Sequence, residues 1–355
     1  MRIVQVIDSL NAGGAERMAV NYANSLSNQL GFSGLICTRI EGDLKNEIHK
    51  NVSYLFLNKT KVIDFKALFL LKKYCISNKI THLHAHSSSY FFSVLVKLFC
   101  FNLKIIWHDH YGFSDFLVKR KFVIIKICSY FFHGIVTVNS DLKKWAEKKL
   151  NCDKIIFLNN FVSLTKELKT TQLNGNVEKR IICLANLRPQ KNHLNLLQIA
   201  LKLKETHPLW TFHLVGKDFQ DSYSKQLKSE IELFNLQNNV FLYDSKKDIQ
   251  NCINQCEIGI LNSISEGLPL SIIEYGLQSK AVISTNVGQI YSIIENKKNG
   301  FLIKPNDTKC FNDALVYLIE NPENRIEIGK NLHKKIFEDF NENKTIDLYL
   351  NWLKN

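Results

Sequence analysis

The sequence predicts an α/β protein of two Rossmann-like halves, and three observations carry that prediction. Short β-branched runs alternate with helical patterns along the whole chain. A polar stretch, Ser163 to Lys179, has no apolar period and interrupts the alternation. At 355 residues the chain is long enough for two separate cores. Parallel sheets of this kind bring ligands to the carboxyl ends of their strands, so a cleft between the halves is the expected site.

In the first half, strands are expected at Arg2–Ile7, Gly34–Thr38, Ser53–Leu57, Thr81–Ala85, Leu103–Trp107, Ile135–Val138 and Lys154–Leu158. Helical patterns fill most gaps, as at Ala15–Leu30 and Phe65–Asn78. After the polar linker a second series follows, with strands at Arg180–Leu184, Thr211–Val215, Val240–Tyr243, Ile258–Leu261 and Ala281–Ser284. The helix between the first two carries Leu194, Leu197 and Leu201 on one face. The last stretch, Asn341 to Asn355, is helical and amphipathic through Ile346, Leu350 and Trp352–Leu353. The domain reading is therefore 1–163 and 178–340, with 341–355 crossing back onto the first domain.

Composition narrows the class. The chain is 45% hydrophobic and 22% charged, as soluble globular proteins are. Nine cysteines, an odd number without a Cys-x-x-Cys pair, argue against a disulfide framework or a zinc site and fit a reducing, cytoplasmic compartment. No stretch has the length of a membrane span; Tyr90 to Trp107 comes nearest and is broken by Lys97, Asn102 and Lys104. Charge is lopsided: residues 1–160 hold 22 Lys and Arg against 11 Asp and Glu, the remainder 24 against 22. A basic half attracts anions. Leu117 to Phe132, basic at its start and apolar beyond, has the pattern of a helix lying on an anionic membrane surface. Signatures of nucleic-acid binding are absent, and no nucleic-acid partner is expected.

Three loops carry chemistry. Gly13-Gly14 follows the first strand and opens a helix, where adjacent glycines let backbone approach a diphosphate or a sugar. It lacks the three spaced glycines of the dinucleotide fingerprint. Arg188 and Lys191 follow the first strand of the second domain, and fixed cations there would stabilise the charge of a departing diphosphate. Ser263 to Leu277 puts Glu266 and Glu274 on either side of Gly267-Leu268-Pro269, after an apolar strand. A helix starting near Leu270 offers free N–H groups suited to phosphate, while carboxylates repel phosphate and read as acceptors for sugar hydroxyls.

Histidines cluster as well. His82, His84 and His86 alternate on one strand face, and His108, Asp109 and His110 end the next strand. Buried imidazoles in such sheets commonly hydrogen-bond to their surroundings, so no metal is assigned.

Glu266, seven residues and Glu274, with Gly267-Leu268-Pro269 after the first acid, resemble the donor-site motif of retaining glycosyltransferases of family 4, which have the GT-B fold. The Asn11–Arg17 stretch and the Lys191-Asn192 pair resemble further motifs of that family. The resemblance implies that Glu266 meets the donor hexose, Glu274 the ribose hydroxyls and Lys191 the diphosphate. It implies that Gly14 lies against donor phosphates or acceptor, with Gly13 on the acceptor side. It also places Gly216, in a turn, near the nucleotide, and His110 by the transferred sugar, with His108 its rival. His86 resembles an acceptor-side histidine, and Asp109 could orient a neighbour or act as a base. Asn186 stands where the family has arginine, which leaves Arg188 to reach the diphosphate. Ser279-Lys280-Ala281 replaces the family's Gly-x-Pro.

The implied activity is retaining transfer of a hexose from a nucleotide sugar, UDP-linked by expectation, to a hydroxyl of a saccharide acceptor. The acceptor is expected to be lipid-linked, in bacterial surface polysaccharide synthesis, with the protein peripheral at the inner face of the cell membrane. No cofactor is expected, since positive groups replace a divalent metal. The alternatives are a nucleotide-sugar 2-epimerase of the same fold and a non-enzymatic binder of anionic polymers.

Overall fold

The computed structural model describes residues 1–112, 114–162 and 169–355. It divides into two compact units, Met1–Ser163 with Glu342–Asn355, and Leu164–Asn341.

In the first unit seven parallel strands alternate with helices: β1 Ile3–Ser9, α1 Gly14–Gln29, β2 Ser33–Ile40, β3 Ser53–Phe56, α2 Phe65–Ser77, β4 His82–His86, α3 Tyr90–Lys97, β5 Lys104–Asp109, α4 Val123–Ser129, β6 Phe132–Thr137, α5 Ser140–Lys149 and β7 Ile155–Phe157. Their spatial order is β3-β2-β1-β4-β5-β6-β7. The direction of winding therefore reverses between β1 and β4, the switch point of a doubly wound sheet. The β-branched runs serve burial on both faces: Val4, Val6 and Ile36 join Leu68, Leu71, Phe92 and Ile125 in one core, beneath α2, α3 and α4. Ile7, Leu35 and Cys37 meet Ala19, Val20 and Ala23 of α1 on the other. Asp64 and Asn139 cap α2 and α5 by accepting from the N–H groups of Ala67 and Leu142.

The second unit repeats the plan with β8 Arg180–Leu184, α6 His193–Thr206, β9 Thr211–Val215, α7 Ser222–Leu233, β10 Val240–Tyr243, α8 Ile249–Asn254, β11 Ile258–Leu261, α9 Leu270–Leu277, β12 Ala281–Thr285, β13 Phe301–Ile303, α10 Thr308–Glu320 and α11 Pro322–Asp339. Its six strands lie in the order β10-β9-β8-β11-β12-β13, with the switch point between β8 and β11. The last helix, α12 Glu342–Lys354, belongs to the first unit. Its Tyr349 hydroxyl is 3.0 Å from His84 Nδ1, and Ser25 donates to Glu342 at 2.6 Å. Gly134 leaves room for the Trp352 ring, which a Cβ would strike.

Two expectations need correction. The single helix foreseen over Leu117–Phe132 is broken: a 3-10 turn ends at Lys119, α4 spans only Val123–Ser129, and Phe132 already opens β6. At the break Arg120 turns inward onto Asp109, its guanidinium over the Trp145 and Tyr111 rings at 4.2 and 4.3 Å. The linker, whose residues 163–168 lie outside the described residues, is no free tether beyond them. Thr170 and Thr171 donate backbone N–H groups to Asp248, each at 2.7 Å, and Leu173 is buried. Those bonds hold the Asp248 carboxyl well below the usual carboxylate range despite its partial burial. β13, three residues between Gly300 and Lys304, adds a sixth strand to the five expected in this half. No two cysteines among the described residues form a disulfide, and Cys252 and Cys256 are packing residues. Among the described residues no helix is long and apolar enough to cross a membrane.

Candidate active site

At the switch point of the second unit, the loops after β8 and β11 leave the sheet side by side. Ile264 N–H donates to Gln190 O at 2.8 Å, fastening one loop to the other. This brings Lys191 Nζ to 2.5 Å from Glu266 Oε1, and Ser263 Oγ donates to the same oxygen at 2.6 Å. Asn192 follows with φ +57°, a left-handed conformation that asparagine tolerates, and turns the chain into α6. Behind Glu266, Thr285 Oγ1 donates to Ser263 O at 2.6 Å and Gln289 N–H to Gly267 O at 3.2 Å. Gly288, at φ +56°, lies so close that a Cβ would stand 2.2 Å from Glu266 O. Lys191 and Ser263 thus hold the carboxylate while backbone bonds fix the loop behind it, before any ligand arrives.

Gly267, Leu268 and Pro269 lead into α9, which opens at Leu270. Glu274 sits half-buried in the second turn of that helix. The helix is anchored by its neighbour Tyr275, fully buried, whose hydroxyl accepts from Leu184 N–H at 2.7 Å and reaches Ile182 O and Ile260 O. Gly259 makes this possible, since a Cβ there would meet the Tyr275 ring. Tyr275, Ser263 and Gly259 escaped sequence reasoning because their roles depend on contacts across the sheet.

Gly216 is a packing glycine, its Cα pressed on Ala185, where a Cβ would lie 2.2 Å from a carbonyl oxygen. Asn186, where the family has arginine, accepts from Lys217 N–H at 2.9 Å. Arg188 is exposed and covers the Phe219 ring at 4.6 Å. Burial pushes the Cys183 thiol up to about 12, so no thiolate nucleophile stands beneath the site.

In the first unit the chemistry again gathers at the switch point, where β1 and β4 are neighbours. Gly13 caps α1; a Cβ on it would meet the Glu16 carboxylate, whereas a Cβ on Gly14 would find nothing within 4 Å. His86 Nδ1 is 2.9 Å from His110 Nε2, and His86 Nε2 is 2.8 Å from Gln5 Oε1. Burial lowers the pKa of His84, His86 and His108 well below the ordinary value and takes His110 to about 3. All four are therefore neutral at pH 7.

Of the acceptor-side candidates only Gly13 retains exposure, as does His110, the residue expected beside the transferred sugar. His86 and His108 are buried, and both ring nitrogens of His108 lack a partner. Of the two roles expected of Asp109, the geometry fits holding a neighbour and not acting as a base. Asp109 is 1% exposed, gripped by both guanidinium nitrogens of Arg120 at 2.6 and 2.9 Å, and accepts from Tyr111 N–H. A carboxylate so satisfied is a poor base. Arg120 itself was read as part of a basic helix, and no local signal distinguishes it from Lys119 or Lys121. Gln5 did leave a signal, a lone amide between Val4 and Val6 in an apolar strand.

His84, His86 and His108 have ring nitrogens within 4.8 Å of one another. His84 and His108 are parallel to 2° with centroids 5.1 Å apart, so their lone pairs run alongside each other. His86 has both nitrogens engaged.

Two doubly wound parallel sheets, each with its chemistry at a switch point, define the GT-B class of α/β proteins. Residues 12–166 match the family described as Glycosyltransferase Family 4, and residues 165–335 match Glycosyl transferases group 1. The chain is 26% identical, over 96% of its length and 95% of the relative's, to UDP-Gal:alpha-D-GlcNAc-diphosphoundecaprenol alpha-1,3-galactosyltransferase of Escherichia coli. It is 25% identical to N,N'-diacetylbacillosaminyl-diphospho-undecaprenol alpha-1,3-N-acetylgalactosaminyltransferase of Campylobacter jejuni, over 67% of its length and 65% of that relative's. Among solved structures, Anabaena HepE in complex with UDP and glucose superposes with a TM-score of 0.83 at 16% identity, covering all of both chains. The chain belongs to the family 4 glycosyltransferases of GT-B fold.

Proposed function

We propose that this glycosyltransferase moves a hexose from a UDP-sugar to a hydroxyl of a lipid-linked saccharide, with retention, in bacterial surface polysaccharide synthesis at the inner face of the cell membrane. One observation carries the reading: Lys191 and Glu266 meet at the carboxyl ends of β8 and β11, beside the start of α9. An ammonium has three donors, so one serves Glu266 while others serve diphosphate oxygens. Glu266 and Glu274 then take hydroxyls of the hexose and the ribose. The acceptor oxygen attacks C1 on the face the diphosphate leaves; the C1–O bond to phosphate breaks, and a phosphate oxygen takes the acceptor's proton. Lys191 and the start of α9 stabilise the departing charge, and no divalent ion is needed. The relatives from E. coli and C. jejuni, both named for diphosphoundecaprenol acceptors, support the lipid-linked class, and the UDP and glucose bound by HepE support the donor. Membrane association accords with the basic first unit.

A thermal-shift screen of UDP, GDP, ADP, CMP, dTDP and their sugar conjugates tests the donor site. A ligand at about 100 times its Kd adds roughly 2.7 kcal/mol of stability. The expected result is a shift with UDP and UDP-sugars that Glu274→Ala removes. No shift from the folded parent with any nucleotide would overturn the reading.

A further inference from the structure

The outer layer of the first unit departs from what water requires of surface helices. α2, α3 and α4 lie on the same face of the sheet, each sending apolar residues into one core. Their outward sides should then be polar. Along α2, Phe65, Phe69 and Ile76 fall within about 40° of arc and are 61% to 77% exposed. The turn after α3 exposes Phe99 and Phe101, the latter by 81%. Lys72 Nζ lies 5.8 Å above the Phe99 ring, joining this turn to α2. α4 repeats the stripe with Val123, Ile127 and, just past its end, Tyr130, 60% to 71% exposed. Two helices and the turn after α3 thus set large apolar side chains outward. Scattered exposed apolar residues need no explanation, but aligned stripes on adjacent elements do.

The charge between these stripes is nearly all of one sign. From Phe65 to His108 the chain has no Asp or Glu, and from Phe65 to Ser140 it has ten Lys and Arg against Asp109 and Asp115. Asp109 is cancelled by Arg120, both buried beneath the surface. Nine lysines remain against Asp115, and Lys66, Lys72 and Lys73 lie along or beside the α2 stripe. Such a face does not pair with a second copy of itself, because two sets of lysines would be pressed together. Its complement is a negative surface that also accepts hydrocarbon.

We propose that the outer face of α2, the turn after α3 and α4 form a docking surface for an anionic lipid bilayer. Phe65, Phe69, Phe101 and Ile127 enter the boundary between headgroups and acyl chains, and the lysines meet lipid phosphates. The inference rests on the membrane part of the function proposed above and changes its geometry, from one amphipathic helix to a face of three elements.

The test is flotation of the full chain with vesicles of phosphatidylcholine alone, or of phosphatidylcholine and phosphatidylglycerol in about equal parts. Two variants accompany the parent: Phe69→Ser with Phe101→Ser and Ile127→Ser, and Lys72→Glu with Lys73→Glu and Lys126→Glu. The parent should float only with the anionic vesicles and be released by high salt. Each variant should lose about tenfold or more of its partitioning. Should the first variant fail to fold, the lysine variant carries the test alone. A parent that does not float, or variants that float as the parent does, would overturn the proposal. So would a concentration-dependent dimer in sedimentation that the apolar variant abolishes, since the face would then be self-association. UDP-dependent thermal shift, read on the same proteins, separates the two readings. A shift retained without flotation sinks only the docking surface, while a shift missing from the parent sinks the donor site.

Discussion

His86 Nδ1 and His110 Nε2 are 2.9 Å apart, and this contact fixes which proton His110 carries. Gln5 Oε1 can only accept, so the His86 Nε2 beside it, at 2.8 Å, holds the proton. His86 Nδ1 must then accept from His110 Nε2–H. That leaves the His110 Nδ1 lone pair free for a sugar hydroxyl, and burial keeps both rings neutral. Gln5→Met, which removes the acceptor at similar volume, should lower kcat roughly tenfold, the worth of about one hydrogen bond, with little change in KM for the donor. Gln5→Glu keeps an acceptor oxygen and should restore much of the loss. Nitrogen-15 spectra of the imidazoles should show His110 losing its fixed tautomer in Gln5→Met. An unchanged tautomer would remove Gln5 from the relay.

Lys191 is the positive group beside the Glu266 carboxylate. Lys191→Ala should lower kcat by 10²–10³, about 2.7–4 kcal/mol of barrier. The fold should survive, because Glu266 keeps its bond from Ser263. EDTA in the assay should leave the parent's rate unchanged; a rate lost to EDTA and restored by a divalent ion would end the metal-independent reading.

Periodicity made all the strands but β13 legible, because parallel strands buried on both faces read as apolar runs whatever they neighbour; for that reason it does not give their spatial order. Glu266 and Lys191 were legible as motif residues, although their contact needs β11 to lie beside β8, which no local pattern states. The failures have the same cause. Asp109 and Arg120 are eleven positions apart, and only folding shows that they neutralise each other. The same pair sits at the break in the helix expected at Leu117–Phe132. Leu173 looked like linker because its burial depends on threonines gripping Asp248, far along the chain.

Two glycines in the segments that follow β1 and β12 should respond in opposite ways. A Cβ on Gly14 meets nothing within 4 Å, so Gly14→Leu should leave Tm at or slightly above the parent's, leucine being the better helix former. Activity should nonetheless fall sharply if backbone there faces donor or acceptor. Gly288→Ala sets a side chain at φ +56° and 2.2 Å from Glu266 O. It should destabilise by about 1–2 kcal/mol or more, visible as a lower Tm. A Gly14→Leu variant with full activity would take the loop after β1 out of the site.

Stability should fall steeply on the acid side, and the buried histidines set the window. Burial lowers His82 and His193 to about 4 and His213 to about 3, from 6.5. Below pH 6.5 the unfolded chain binds protons that the folded chain refuses until about pH 4 or lower. Stability therefore drops as pH falls through that interval and is unaffected above it. At pH 5.5 each such group removes about 1 kcal/mol, and several together rival the whole stability of a domain. His84, His86 and His108 add to the effect in the same direction. Calorimetry should show Tm nearly level from pH 8 to 7 and falling sharply from 6.5 to 5. His108→Leu should flatten the fall, because His108 has no partner at either nitrogen and loses no hydrogen bond when made apolar. A level Tm down to pH 5 would mean that these rings accept protons while the fold stays intact.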